Sequence, residues 1–225
     1  MSKKVNRREF LKVWAATGVA LSMAPEIVLA EAPKPLQLLK PQVGAGNPFL
    51  QLLWKRRSSR EFSPKPLPLG VLSNLLWAAF GINRPDGRRT APTASNRQEI
   101  DVYAATAAGL YLYEAKTHRL NPVLVKDIRG ITTSRQSFVK EVPVNLIYVA
   151  DYSKMRSVPD EMKGIYSAAA TGFISQNVYL YCASAGLSTV VRASMNRPAL
   201  ASAMKLRGDQ RIVLAQSVGY PKKTS

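Results

Sequence analysis

Apolar residues recur at helical spacing over Pro48–Lys55 (PFLQLLWK), which predicts a short helix. Leu69–Gly81 (LGVLSNLLWAAFG) predicts a second, apolar one that stops at its glycine. The pattern then changes period. Ile100–Thr106, Gly109–Glu114 and Leu120–Val125 read as a three-stranded meander turning at Ala107-Ala108 and at Lys116-Thr117-His118. Val144–Ala150 (VNLIYVA) is a continuous apolar run of strand length, the mark of a buried strand. The longest helical pattern covers Ile165–Ala185 and ends at Gly186. It is apolar nearly all round, which predicts a central helix or a subunit interface. A strand at Leu187–Val191, a helix at Pro198–Leu206 with proline in its first turn, and a strand at Arg211–Val218 complete the series. Helices and strands interleave without strict alternation. An α+β domain follows, with a mixed, mainly antiparallel central sheet flanked by helices. Trp54, Trp77 and Cys182 are expected in its core.

Three segments break the pattern. Ile82–Gln98 is polar and rich in turn residues, and a structureless stretch of that length inside a domain points to function. Asp127–Val142 fits a helix or a loop, and Asp151–Gly164 reads as a charged loop. These last two are the expected substrate-contacting loops.

Residues 1–30 read as an export signal, residues 31–46 as a Pro/Gly-rich leader, and residues 47–225 as the folded domain. Lys3, Lys4, Arg7 and Arg8 form a basic head before the apolar run Val13–Ala24. That run is too short to cross a bilayer, which takes about 20 residues. Val28-Leu29-Ala30 offers a cleavage site. Asn6-Arg7-Arg8-Glu9-Phe10-Leu11-Lys12 resembles the twin-arginine signal, whose translocase carries folded proteins; a periplasmic or otherwise exported location is expected.

The chain carries a formal charge of +18. Five cations and two anions lie in residues 1–30, so the remainder keeps +15. That excess attracts anions, whether nucleic acid, lipid or cofactor. The cations are spread over several segments with no aromatic stacking platform, so nucleic acid is not expected as a partner. One cysteine and one histidine, far apart in sequence, exclude an intrachain disulfide and argue against a Cys/His metal site. There is no Gly-x-Ser-x-Gly elbow, no Walker loop and no GxGxxG fingerprint after a strand. His118 is expected on an exposed turn.

The densest chemistry is Lys55-Arg56-Arg57-Ser58-Ser59-Arg60-Glu61-Phe62, with four cations in six residues. If it runs extended, Arg56, Ser58 and Arg60 project to one side. Guanidiniums can grip a phosphate through paired hydrogen bonds. A solvated basic loop is the alternative.

Four blocks together resemble the nitroreductase flavoprotein superfamily. They are Arg56–Phe62; Leu75–Asn83 with Arg89–Gln98; Gln176–Leu180 with Gly186–Val190; and Val218-Gly219-Tyr220-Pro221. The run from Asn83 to Pro92 and the following Gln98-Glu99-Ile100-Asp101-Val102-Tyr103 are most similar to the SagB-type azoline dehydrogenase branch. The resemblance implies a nitroreductase-like α+β fold, a homodimer, and FMN held without a covalent link at the dimer interface. Carried over by position, Arg56 and Ser58 would hold the phosphate, with Arg57 close by. Arg60 would face the N1–O2 edge of the ring, Asn96 and Gln98 the pyrimidine edge. The backbone of Arg192, Ala193 and Ser194 would face O4 and N5; better-known members carry Glu-Gly there. Lys222 and Lys223 would close the phosphate clamp. Gln176 and Asn177 are expected to serve packing.

The implied activity is FMN-dependent oxidoreduction of a small organic substrate (a nitro compound, a quinone or an azoline) in two half-reactions through flavin N5, with no catalytic side chain assigned. The alternative is a non-catalytic flavin-binding or flavin-delivery protein of the cell envelope. Because NAD(P)H is a cytoplasmic reductant, export implies that a quinol, a redox protein or the substrate itself supplies the electrons.

Overall fold

The computed structural model describes residues 35–41, 43–44 and 46–222. The twin-arginine segment, the cleavage site and Lys223 lie outside the described residues. Residues 35–41 belong to a unit of their own and have no regular structure. The second unit, Gln42–Ser225, holds the four α-helices and six strands formed among the described residues.

Helix α1 (Pro48–Lys55) starts at Asn47, whose side chain accepts a hydrogen bond from Leu50 N–H, and proline follows in the first turn. Helix α2 is Leu69–Phe80. Strands β1 (Ile100–Thr106), β2 (Gly109–Glu114) and β3 (Arg119–Leu124) form the meander that the alternation predicts. Strand β4 (Val144–Asp151) is buried at every residue, as a continuous apolar run requires. Helix α3 (Asp160–Ala185) is followed by β5 (Ser188–Arg192), α4 (Arg197–Ala203) and β6 (Gln210–Gly219).

The strands make one sheet in the order β3-β2-β1-β4-β6-β5. Every pairing is antiparallel, in agreement with the mainly antiparallel sheet expected from the sequence. Period-two alternation divides β1 and β4 between two cores. Ile100, Val102, Ala104, Leu146 and Tyr148 face α2 and α3. Tyr103, Ala105, Ile147 and Val149 join Leu200 of α4 and Met204, which caps that helix.

Two expectations are corrected. Trp54 and Trp77 are not in the core: they are 68% and 47% exposed in the single chain. Helical spacing shows that one face of a helix is apolar but not what covers it, and α1 buries no residue completely. Helix α3 begins five residues before the apolar pattern does. Pro159 precedes it, and Asp160 and Glu161 complement the partial positive charge of its first turn. The Asp127–Val142 segment resolves into two 3-10 turns, Arg129–Thr132 and Ser137–Lys140. Cys182 is buried, and burial pushes its thiol up to about 12. Among the described residues no helix is long and apolar enough to cross a membrane, and no His/Cys/Asp/Glu cluster could hold a metal.

Candidate functional site

The basic stretch leaves α1 at Arg56 and runs as non-helical chain past the free edge of β5. Ser59 N–H donates to Thr189 O at 3.0 Å. Farther along, Phe62 bridges Pro221, Ser63 N–H donates to Tyr220 O at 2.8 Å, and Lys222 N–H donates to Glu61 O at 3.4 Å. The first and last motif blocks are therefore neighbours, and Lys222 lies beside the Arg-rich segment. Gly219 allows the approach: a Cβ there would come within 2.7 Å of Pro143 Cδ and 3.4 Å of a Phe62 ring carbon.

Tyr179 of α3 organises this corner. Its hydroxyl accepts from Val191 N–H at 3.0 Å and lies 2.8 Å from Ser58 Oγ. Either hydroxyl can donate in this bond, and the exposed Ser58 Oγ keeps hydrogen-bonding capacity towards solvent. The Arg56 guanidinium lies over the Tyr179 ring, 5.3 Å from its centre. Arg57 turns back on α1 and donates to the carbonyls of Trp54 at 2.6 Å and Arg56 at 2.9 Å, satisfying acceptors at a helix end. Arg60 is exposed.

The second block is built on backbone of unusual shape. Ser95, Asn96 and Gln98 have φ of 52°, 53° and 52°, in the left-handed region that side-chain-bearing residues seldom enter. The Gln98 side chain holds the loop. Its Nε2 donates to Gly87 O and Asn96 Oδ1, both at 3.1 Å, and its Oε1 accepts from Arg89 Nε at 2.7 Å. Arg89 also donates to Phe80 O and lies 4.4 Å from the Phe80 ring centre. Burial lowers its pKa, partly offset by Tyr113 and Asp101. Lys154 clasps the far side through Gln98 O and Asp101. Asn177, two residues before Tyr179, donates to Thr90 O at 3.2 Å, a helix-to-loop contact of the packing kind expected of it. One turn of α3 thus anchors both blocks.

Arg192 is turned inwards. It is 3% exposed and meets four neutral acceptors: Ser217 Oγ, Thr132 O, Thr132 Oγ1 and Asn145 Oδ1, at 2.7–3.3 Å. Burial without a carboxylate lowers its pKa to about 10. Its side chain braces the domain, which leaves only the backbone of Arg192 itself to face a ligand. Ala193 and Ser194 are exposed, and Ser194 Oγ lies 3.0 Å from Ser134 Oγ, so the Asp127–Val142 segment borders them.

The structure unites Arg56 and Ser58 around Tyr179, and separately Asn96 and Gln98. Arg57 and Ser59 line a cavity of about 90 Å³ with Tyr179 and Thr189. Lys222 lines another, of about 540 Å³, with Phe62, Lys65 and Tyr220. Asn96 lines a third, of about 460 Å³, with Arg84, Arg88, Arg89, Thr93 and Ser95. His118 is exposed as expected, but its ring is engaged by Ser73 Oγ at 2.7 Å and Tyr113 OH at 2.9 Å. Sequence reasoning overlooked Tyr179 and Arg89. A tyrosine two places from Asn177 in an otherwise apolar helix was the available signal for the first; nothing local distinguished Arg89 from Arg88.

The nitroreductase family profile matches residues 53–220, which span every element of this arrangement except the start of α1. The chain belongs to the nitroreductase family. Within it, the chain is 31% identical to "Putative nitroreductase MJ1384" of Methanocaldococcus jannaschii, over 62% of this chain and 75% of that protein. A crystal structure of a "putative nitroreductase" from Ralstonia eutropha JMP134 superposes with a TM-score of 0.76 at 44% identity, covering 83% of this chain and 89% of the other. The NADPH:FMN oxidoreductase of Vibrio harveyi, complexed with NAD+, shares the fold: TM-score 0.59, 15% identity, 79% of this chain and 70% of that one. This nitroreductase-family chain is accordingly an oxidoreductase built on an antiparallel six-stranded sheet.

Proposed function

We propose that the chain binds FMN and acts as an FMN-dependent oxidoreductase on a small organic substrate. The observation that carries the reading is the Val191–Tyr179–Ser58 chain of hydrogen bonds. It holds the Ser58 hydroxyl beside the tyrosine ring over which the Arg56 guanidinium lies, a hydroxyl–guanidinium pair suited to a phosphate. Arg56, Ser58 and Lys222 would hold that phosphate, with Arg57 and Lys223 near it. Arg60 is exposed and would serve as the cation at the N1–O2 edge. Asn96 offers its amide nitrogen for the pyrimidine edge; Gln98, whose own amide is engaged by Gly87, Asn96 and Arg89, would act there by holding the loop's left-handed residues in place. The backbone of Arg192–Ser194 would line the O4–N5 side. Bound there, FMN supplies two-electron transfer; the protein supplies position and charge.

Homodimer formation fits this reading. Phe49 and Trp54 on α1, Trp77 on α2, and Ile165 and Phe173 on α3 are each 47–68% exposed in the single chain, more than large apolar residues favour. The Asn83–Pro92 and Gln98–Tyr103 runs favour the azoline dehydrogenase-like branch. The Arg7-Arg8 signal favours twin-arginine export, which suits a cofactor inserted before translocation, and export in turn favours a quinol, a redox protein or the substrate as reductant.

The test is to purify the chain, record its visible spectrum, reduce it with dithionite and add a nitroaromatic or a quinone. A yellow protein reoxidised within seconds is expected, with NADPH a poor reductant. A colourless protein that FMN does not reconstitute would overturn the reading. Slow reoxidation of a tightly bound flavin would favour a storage or delivery role.

A further inference from the structure

The cavity beside Asn96 is cationic to a degree that flavin binding does not require. Arg84, Arg88 and Arg89 line it together with Ala91, Pro92, Thr93 and Ser95, and no carboxylate contributes to the lining. Arg84 Nε is engaged by a neutral acceptor, Asn83 Oδ1. Arg88 meets Asp86 at 3.4 Å, with both side chains more than half exposed, so the pair is weak and leaves most of the guanidinium fork available. Arg89 is half-buried, bonded to an amide and a carbonyl, and forms no ion pair among the described residues. At about 460 Å³ the space suits a small molecule.

We infer that this cavity binds the anionic end of the substrate, a carboxylate gripped by Arg84 and Arg88 with Arg89 behind them. The inference deepens the flavin reading and rests on it for the word substrate. Planar guanidiniums match a carboxylate edge to edge, and a partly desolvated wall strengthens the attraction. If Asn96 marks the pyrimidine edge of the ring, a molecule anchored here extends over that ring. An acceptor bearing a carboxylate is then preferred over its neutral counterpart.

Calorimetric titration of the purified full chain with 4-nitrobenzoate and with neutral 4-nitrobenzyl alcohol tests this. The wild type should bind the anion at least about tenfold more tightly, the scale of a charge-assisted hydrogen bond. The Arg84→Gln/Arg88→Gln variant should bind both alike, with the neutral probe unaffected. Equal wild-type affinities, or a variant that weakens both probes together, would overturn the inference. So would displacement of 4-nitrobenzoate by FMN but not by riboflavin, since the cavity would then belong to the cofactor's phosphate. A chain that takes up no FMN yet binds the anion through these arginines would sink the flavin reading and leave the anion site standing.

Discussion

The Tyr179 hydroxyl lies 2.8 Å from Ser58 Oγ, across 121 residues of sequence, and fixes which way the serine points. Val191 N–H donates to the tyrosine oxygen, and a hydrogen bond in which either hydroxyl can donate joins that oxygen to Ser58. Tyr179→Phe keeps the ring under Arg56 and removes only this relay. It should lower stability by about 1 kcal/mol, the cost of an unsatisfied backbone N–H, and weaken FMN about tenfold. Riboflavin, which has no phosphate, should bind as before. Fluorescence titration with both ligands distinguishes this from general damage, which would weaken both.

Arg192 joins the Asp127–Val142 segment to β4 and β6 through Thr132, Asn145 and Ser217. Arg192→Ala would empty a buried site and strand those acceptors, at about 2–4 kcal/mol. Arg192→Lys should rescue little, because one ammonium cannot reach acceptors arranged around a planar fork. Urea denaturation gives the stabilities. Hydrogen exchange should show residues 129–140 opening first in both variants.

Glu99 is fully buried, and neither carboxyl oxygen finds a partner among the described residues. Desolvation raises its pKa above the ordinary 4.5, opposed by its own backbone, Arg97 and Lys154. A raised folded pKa means that the unfolded chain loses this proton first as pH rises. Stability therefore falls from the ordinary glutamate range up to the folded pKa. Glu99→Gln should remove that slope: more stable than wild type at neutral pH, indistinguishable in acid. Urea midpoints across that range check it, and parallel pH profiles would contradict it.

Ser95 is exposed, has φ 52°, and sits beside Asn96. Ser95→Val places a branched Cβ in the left-handed region and should cost about 1–2 kcal/mol. Ser95→Gly should leave the melting temperature unchanged or slightly higher, because relief of strain offsets the added chain entropy. Thermal melts of the two variants measure the contrast.

Much of the fold was legible because its signals are local. The pattern of Ile100–Thr106 and the unbroken apolar run of Val144–Ala150 identify the two middle strands of the sheet, and Asn47 and Pro48 mark a helix start. Strand order was not, since pairing is decided by connections that periodicity does not encode. The polar first turn of α3 escaped because Asp160–Lys163 resemble a loop until Pro159 and the tertiary contacts are seen. Trp54 and Trp77 were misplaced because an apolar face is the same signal whether it meets the chain's own core or lies open. At the site, the four blocks carried residue types but not their directions. Arg192 reads as one more cation in a basic chain, yet its guanidinium is spent inside. Tyr179 stands within a motif block with no role assigned to it, yet it bonds Ser58.

Equilibrium dialysis of the purified chain against FMN and against riboflavin reaches the central claim most directly. The account predicts one FMN per chain, riboflavin bound far more weakly, and loss of that difference in Arg56→Ala/Ser58→Ala. Equal affinity for the two flavins, or a preference for FMN that survives those substitutions, would contradict it.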